Sequence, residues 1–178
     1  GERGLRLTGD VPFYGVGSAV PTPVAIGDGG VRVIRMSANH GCLIRSNRSL
    51  ECWGRGFEGQ LGISVAVTNA QPLRAVPGVG EVFDVCTGQS FTCALIADGG
   101  VRCFGAGSFG QLGSGNFNPS TTPVEVIGLP AATQLACHYQ SVCATTAQGV
   151  SCWGDNAFGQ LGLATPMSSA SPLAVPMP

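Results

Sequence analysis

Apolar residues in this chain come in short runs, each closed by glycine or a polar turn, and residues 81–127 are typical. Glu81 to Val85 predicts one strand, closed by Gly88. Phe91 to Ile96 predicts the next, Asp98-Gly99-Gly100 a hairpin turn, and Val101 to Phe104 an antiparallel return. After a glycine-rich loop, Pro123 to Ile127 reads as an outer strand. None of these runs alternates cleanly between apolar and polar residues. That is the pattern of strands covered on both faces, not of a sheet with one wet side.

The pattern repeats. Gly-Gln-Leu-Gly occurs at residues 59–62, 110–113 and 159–162, at offsets of 51 and 49. Upstream of each lies an aromatic-glycine pair, Trp53-Gly54, Phe104-Gly105 or Trp153-Gly154. Each aromatic follows a cysteine (Cys52, Cys103, Cys152), and a further cysteine precedes that one (Cys42, Cys93, Cys143). A fainter copy opens the chain, where residues 4–9 align with residues 100–105 and Thr22-Pro23-Val24 with Thr122-Pro123-Val124. Four short strands recurring about every 50 residues predict the blades of an all-β propeller, each a four-stranded antiparallel sheet. The expected divisions are a half blade over 1–26, made of a blade's last two strands, then blades over 27–76, 77–127 and 128–178 of one domain.

The run His40-Gly41-Cys42-Leu43-Ile44, followed by Leu50-Glu51-Cys52-Trp53-Gly54 and Gly59-Gln60-Leu61-Gly62, resembles the regulator of chromosome condensation repeat. That resemblance implies a propeller, usually of seven blades. Seven blades of about 50 residues need roughly 350, so the chain amounts to about three and a half blades. The opening half blade is expected to await strands from outside it, a fragment of a longer chain being favoured over two copies sharing a ring.

Composition narrows the function. Gly 28 and Pro 12 in 178 residues are heavy punctuation that excludes long helices, and only 11% of residues are charged, for a net charge of -1. A nucleic-acid partner is not expected, because phosphate neutralisation needs clustered cations. No apolar run reaches the roughly 18 residues of a membrane span. All nine basic residues besides histidine are arginine, which suggests a GC-rich, bacterial genome.

The eight cysteines bear on compartment. A hairpin centred on Asn47 sets Cys42 opposite Cys52, one centred on Asp98 sets Cys93 opposite Cys103, and a turn one residue shorter does the same for Cys143 and Cys152. Opposed residues lie about 4.5–5.5 Å apart at Cα, within disulfide range. Closing a loop of about ten residues stabilises by roughly 2.7 kcal/mol in the chain-entropy model. The alternative is that free cysteine packs as a small apolar residue between blades. Cys86 and Cys137 are left over, either as buried thiols or bonded to each other across adjacent inner strands. Zinc is disfavoured, since such pairs do not form close knuckles.

Catalytic signatures are missing: no phosphate loop, nucleophile elbow or zinc-protease helix motif occurs. Neither an enzyme nor a cofactor is expected. Recognition is therefore assigned to rim loops. One set leads from inner to second strand and contributes Asn39 and His40, Gln89 and Phe91, and His138 and Tyr139. A second set precedes each Gln-Leu-Gly, at Arg55 to Glu58, Ala106 to Phe109 and Asp155 to Phe158. The leading expectation is a secreted or surface-exposed propeller that binds a protein or glycan. The alternatives are guanine-nucleotide exchange with chromatin binding, as the resemblance implies, and a purely structural spacer.

Overall fold

A computed structural model of the chain describes residues 6–7, 24–25, 30–164 and 166–176. Their regular structure is all β. Strands β1 (Arg6–Leu7) and β2 (Val24–Ala25) form an antiparallel pair. Otherwise the half blade expected over 1–26 lies outside the described residues. Three four-stranded antiparallel sheets follow, each in simple sequential order. The first holds β3 (Val31–Met36), β4 (His40–Arg45), β5 (Leu50–Gly56) and β6 (Val67–Ala75). The second holds β7 (Val82–Thr87), β8 (Phe91–Ile96), β9 (Val101–Gly105) and β10 (Ser120–Glu125). The third holds β11 (Ala132–His138), β12 (Ser141–Thr146), β13 (Gly149–Asp155) and β14 (Ser168–Ala174). No helix among the described residues is long and apolar enough to cross a membrane.

The central hairpin of each blade closes through a side chain that turns back on its own backbone. Asn47 Oδ1 accepts from the Ser49 amide at 3.0 Å, Asp98 Oδ1 from that of Gly100 at 2.8 Å, and Thr146 Oγ1 from that of Gln148 at 3.1 Å. Three residue types thus do the same job, each offering an oxygen two residues before the amide it captures. The turns fix the register, which sets Cys42 opposite Cys52, Cys93 opposite Cys103 and Cys143 opposite Cys152. All three pairs are disulfides. Cys86 and Cys137 form a fourth, between β7 and β11, and no cysteine is free.

The core lies between blades. Ile44, Leu61, Val82 and Phe104 are buried between the first and second, and Phe91, Leu112, Val142 and Trp153 between the second and third. Burial of each such side chain stabilises by about 1.5–3 kcal/mol. It also explains the absent alternation, since β4 and β8 are buried on both faces from end to end save their last residue.

Gly-Gln-Leu-Gly is the joint between blades. Its leucines are buried, and the Gln60 and Gln111 carbonyls accept hydrogen bonds from the following blade, from Thr92 Oγ1 at 2.9 Å and Trp153 Nε1 at 3.1 Å. Next to the motif, the Ser64 amide donates to Thr121 O and the Gly115 amide to Ala170 O, at 3.0 and 2.9 Å. Inner strands add a polar tie, because Asp84 accepts from Arg35 of the first blade at 3.3 Å and from the Leu135 amide of the third at 3.4 Å.

Candidate functional site

Both loop sets singled out in the sequence meet at one end of the blades. Within each blade the second set donates to the first: the Arg55 amide to Asn39 O, Ala106 to Ser90 O, and Asp155 to Gln140 O, all at 2.9–3.0 Å. The motif glutamines shape the second set from below. Gln60, Gln111 and Gln160 each accept at Oε1 from the amide two residues earlier, on Glu58, Phe109 and Phe158 at 2.8–2.9 Å.

The first set is joined from blade to blade. Asn39 Nδ2 donates to Gln89 O at 2.8 Å, and the Gln89 amide donates to Tyr139 O at 2.8 Å. Three loops from three sheets therefore form one hydrogen-bonded edge. Tyr139 turns on this edge with φ of 48°, in the left-handed region, and is 57% exposed. Beside Gln89 opens a polar cleft of about 230 Å³, lined by Glu58, Gln89, Ser90, Ala106, Ser108, Phe109, Gln111 and Gln140.

The structure divides the predicted residues. Asn39, Gln89 and Tyr139 share the edge, Gln89 also lines the cleft, and His138 is exposed at the end of β11. Phe91 and His40 do not belong to the surface, a correction to the sequence reading. Phe91 opens β8 and is 0% exposed in the core facing the third blade. His40 opens β4 and is 2% exposed between the first two blades. Its Nε2 lies 2.7 Å from Thr92 Oγ1 and its Nδ1 3.0 Å from Ser37 Oγ. The Thr92 hydroxyl already donates to Gln60 O, so it accepts from His40, which places the ring proton on Nε2. Burial with no facing anion pushes the pKa of His40 down to about 3.

Thr92 therefore serves both sides of the joint. Thr92→Val should cost about 2 kcal/mol, because it strands two buried polar groups, His40 Nε2–H and the Gln60 carbonyl. Urea unfolding checks this, and a change under about 0.5 kcal/mol would show that the bridge contributes nothing.

Glu58, Ser108, Gln111 and Gln140 in the cleft lay in or beside the loops read from sequence but were not singled out as site residues. For Glu58, Ser108 and Gln111 the signal is the motif glutamine, which folds the second-set loop back on itself.

Residues 98–145 match the sequence profile of the Regulator of chromosome condensation (RCC1) repeat, and residues 84–111 match a second profile of the same description. The probable E3 ubiquitin-protein ligase HERC4 of Rattus norvegicus is 33% identical over 113 residues, covering 59% of this chain and 10% of HERC4. The ultraviolet-B receptor UVR8 of Arabidopsis thaliana is 33% identical over 124 residues, covering 67% of this chain and 28% of UVR8. The chain thus spans a minor part of each relative. Among solved structures, human WBSCR16 superposes with a TM-score of 0.75 at 23% identity, over 95% of this chain and 46% of that one. Prp20p of Saccharomyces cerevisiae, described with its binding properties to Gsp1p and histones, superposes with a TM-score of 0.76 at 17% identity, over 90% and 41%. These relatives are eukaryotic, whereas the all-arginine composition had suggested a bacterial source. The fold they establish for this chain is an RCC1-like β-propeller.

Proposed function

Proceeding from RCC1 repeats on an RCC1-like propeller, we propose that the chain is a non-enzymatic recognition module that binds a protein or glycan partner at the rim. The observation that carries this is the continuous edge Asn39–Gln89–Tyr139, which aligns loops of three blades over a single cleft. Loops held this rigidly lose little entropy on binding. The side-chain hydroxyls of Ser90 and Ser108 and the side-chain amides of Gln89 and Gln140 make no hydrogen bond to other described residues, so they are available to a ligand. Prp20p, described as binding Gsp1p and histones, is a precedent for recognition on this fold, by analogy alone.

A photo-reactive residue introduced at position 139 should cross-link a discrete partner or immobilised glycan. The same group at exposed Ala147, in the β12–β13 hairpin turn at the other end of β12, should not. His138→Ala with Tyr139→Ala should lower retention of that partner about tenfold or more, the loss typical of a central aromatic contact. Equal retention by both proteins, or equal cross-linking from both positions, would overturn the reading.

We assign the module to an oxidising compartment, outside the cell or at its surface, on the strength of four disulfides and no free cysteine. Thiol titration in denaturant without reductant should find no reactive thiol. Eight free thiols in protein purified from its natural source would sink the assignment.

A further inference from the structure

Three cysteines of the second blade stand in one row across three adjacent strands. Cys86 on β7 is the register partner of Cys93 on β8, which is the partner of Cys103 on β9. Only the second blade has this row: the residue opposite Cys42 on the inner strand is Arg35, and the one opposite Cys143 is Ala136. Directly opposed residues point to the same face of a sheet, and Cys86, Cys93 and Cys103 share one buried cluster with Cys137 packed against it. Two disulfides, Cys86–Cys137 and Cys93–Cys103, therefore lie side by side in one apolar pocket.

A strand residue turns its amide and carbonyl to one side. The short Cα separation of Cys93 and Cys103, 4.1 Å, is that of a non-hydrogen-bonded pair. Cys93 then hydrogen-bonds toward β7, where opposed Cα atoms are about 5.5 Å apart, within the range a disulfide spans. Cys93 accordingly has a second cysteine opposite it at a Cα separation that a disulfide spans, and bonding there draws the two Cβ atoms together.

We propose that these cysteines form a thiol–disulfide exchange site responsive to a small dithiol reductant. Cys137 is half-buried while Cys86 is 5% exposed, so the reductant reaches the Cys137 sulfur first. The dithiol's thiolate bonds to Cys137 Sγ, the Cys86–Cys137 bond breaks, and Cys86 leaves as a thiolate. The second thiol of the reductant then displaces Cys137 as a thiolate, which takes up a proton, and the reductant is left as its own disulfide. Inside the pocket the Cys86 thiolate attacks Cys93 Sγ. The Cys86–Cys93 bond forms, the Cys93–Cys103 bond breaks, and Cys103 leaves as a thiolate that is protonated in turn. One protein disulfide is reduced in the whole sequence and one reductant molecule is oxidised.

The outcome is a changed joint. Cys86–Cys137 is the one disulfide between blades among the described residues, since the other three lie within single blades. It sits at the base of two of the three loops that carry the edge, three residues before Gln89 and two before Tyr139. Exchange transfers the bond into the second blade and leaves the joint without its disulfide, so that reduction loosens the edge. That last consequence rests on the rim reading above, whereas the exchange rests on strand register alone.

The test is limited reduction of the full chain with dithiothreitol, acid quenching, alkylation in denaturant at low pH, and disulfide mapping by mass spectrometry. The expected partly reduced species carries a Cys86–Cys93 bond with Cys103 and Cys137 alkylated. Alkylation of Cys86 and Cys137 with Cys93–Cys103 intact would overturn the proposal. Cys137→Ser removes any dependence on a clean reduction step, because Cys86 then starts as a thiol. In that variant Cys103 should be alkylated in at least about a tenth of chains, as expected of near-equivalent partners in exchange. Alkylation of Cys86 alone would again refute the exchange. Because the readout is the bond map, its failure leaves the rim reading standing, and loss of rim binding leaves the exchange standing.

Discussion

Gly110→Ala should destabilise the protein by about 4 kcal/mol, whereas Gly159→Ala, at the same place in the repeat, should cost only about 1 kcal/mol. Both glycines have left-handed φ, +77° and +74°, so alanine pays a similar backbone penalty at each. The surroundings make the difference. A Cβ on Gly110 would lie 2.5 Å from Ser169 O and 2.6 Å from Ala170 Cα on the outer strand of the third blade, and backbone atoms cannot step aside like a side-chain tip. A Cβ on Gly159 meets nothing within 4 Å among the described residues. Gly59→Ala belongs with Gly110→Ala, since its Cβ would lie 2.9 Å from Thr121 Cα. The measurement is the shift of the urea midpoint at constant m value for the three variants. Equal losses at 110 and 159 would mean that the motif glycine answers to its local turn alone, not to the blade that follows.

Acid should unfold the joint between the first two blades through His40. The imidazole is neutral in the fold, with a pKa of about 3, against an ordinary value of 6.5. The unfolded chain therefore takes up a proton, as pH falls below about 6.5, that the folded chain refuses. Stability contributed by the neutral ring is complete above that pH and is lost progressively down to about pH 3. The slope within the window approaches about 1.4 kcal/mol per pH unit, a loss of several kcal/mol by its lower end. His40→Gln supplies an amide that can donate to Thr92 and never titrates. Urea unfolding at pH 6.5 and 5, above most carboxylate titration, should show a falling midpoint in the parent and a nearly flat one in the variant. An equal fall in both would assign the acid sensitivity to other groups.

Much of the architecture was legible because it is local. A hairpin places residues opposite one another according to their distance from its centre; the turn chemistry at Asn47 and Asp98 marks two of those centres, and Thr146 opens the shorter third turn. Strand limits followed to within a few residues. Val82–Thr87 and Val101–Gly105 lie close to the runs read from sequence, but the outer strand is Ser120–Glu125 rather than Pro123 to Ile127. Its register with β9 shifts between Ser120 and Val124, an irregularity at a sheet edge that apolar patterning does not encode.

The site was less legible, for a related reason. In strands buried on both faces, alternation carries no sign of which side a residue takes. The sequence therefore does not reveal that His40 and Phe91, the latter already read as opening a strand, point into a joint rather than onto the rim. Asn39, Gln89 and Tyr139 could be placed at loops, but their union into one edge depends on how neighbouring blades are stacked. So does the bond between Cys86 and Cys137, whose positions relative to the repeat differ by one residue. The sequence by itself determined the repeat, the strands, the three hairpin cysteine pairs and the absence of catalytic motifs, all consequences of local turns and periodic burial. Only the tertiary structure decided which residues line the cleft, which histidine is sealed from water and which cysteines share a pocket. Those depend on the angle and spacing between blades, set by close packing of Leu61 and Leu112 and by backbone contact at Gly59 and Gly110, which no single repeat can fix alone.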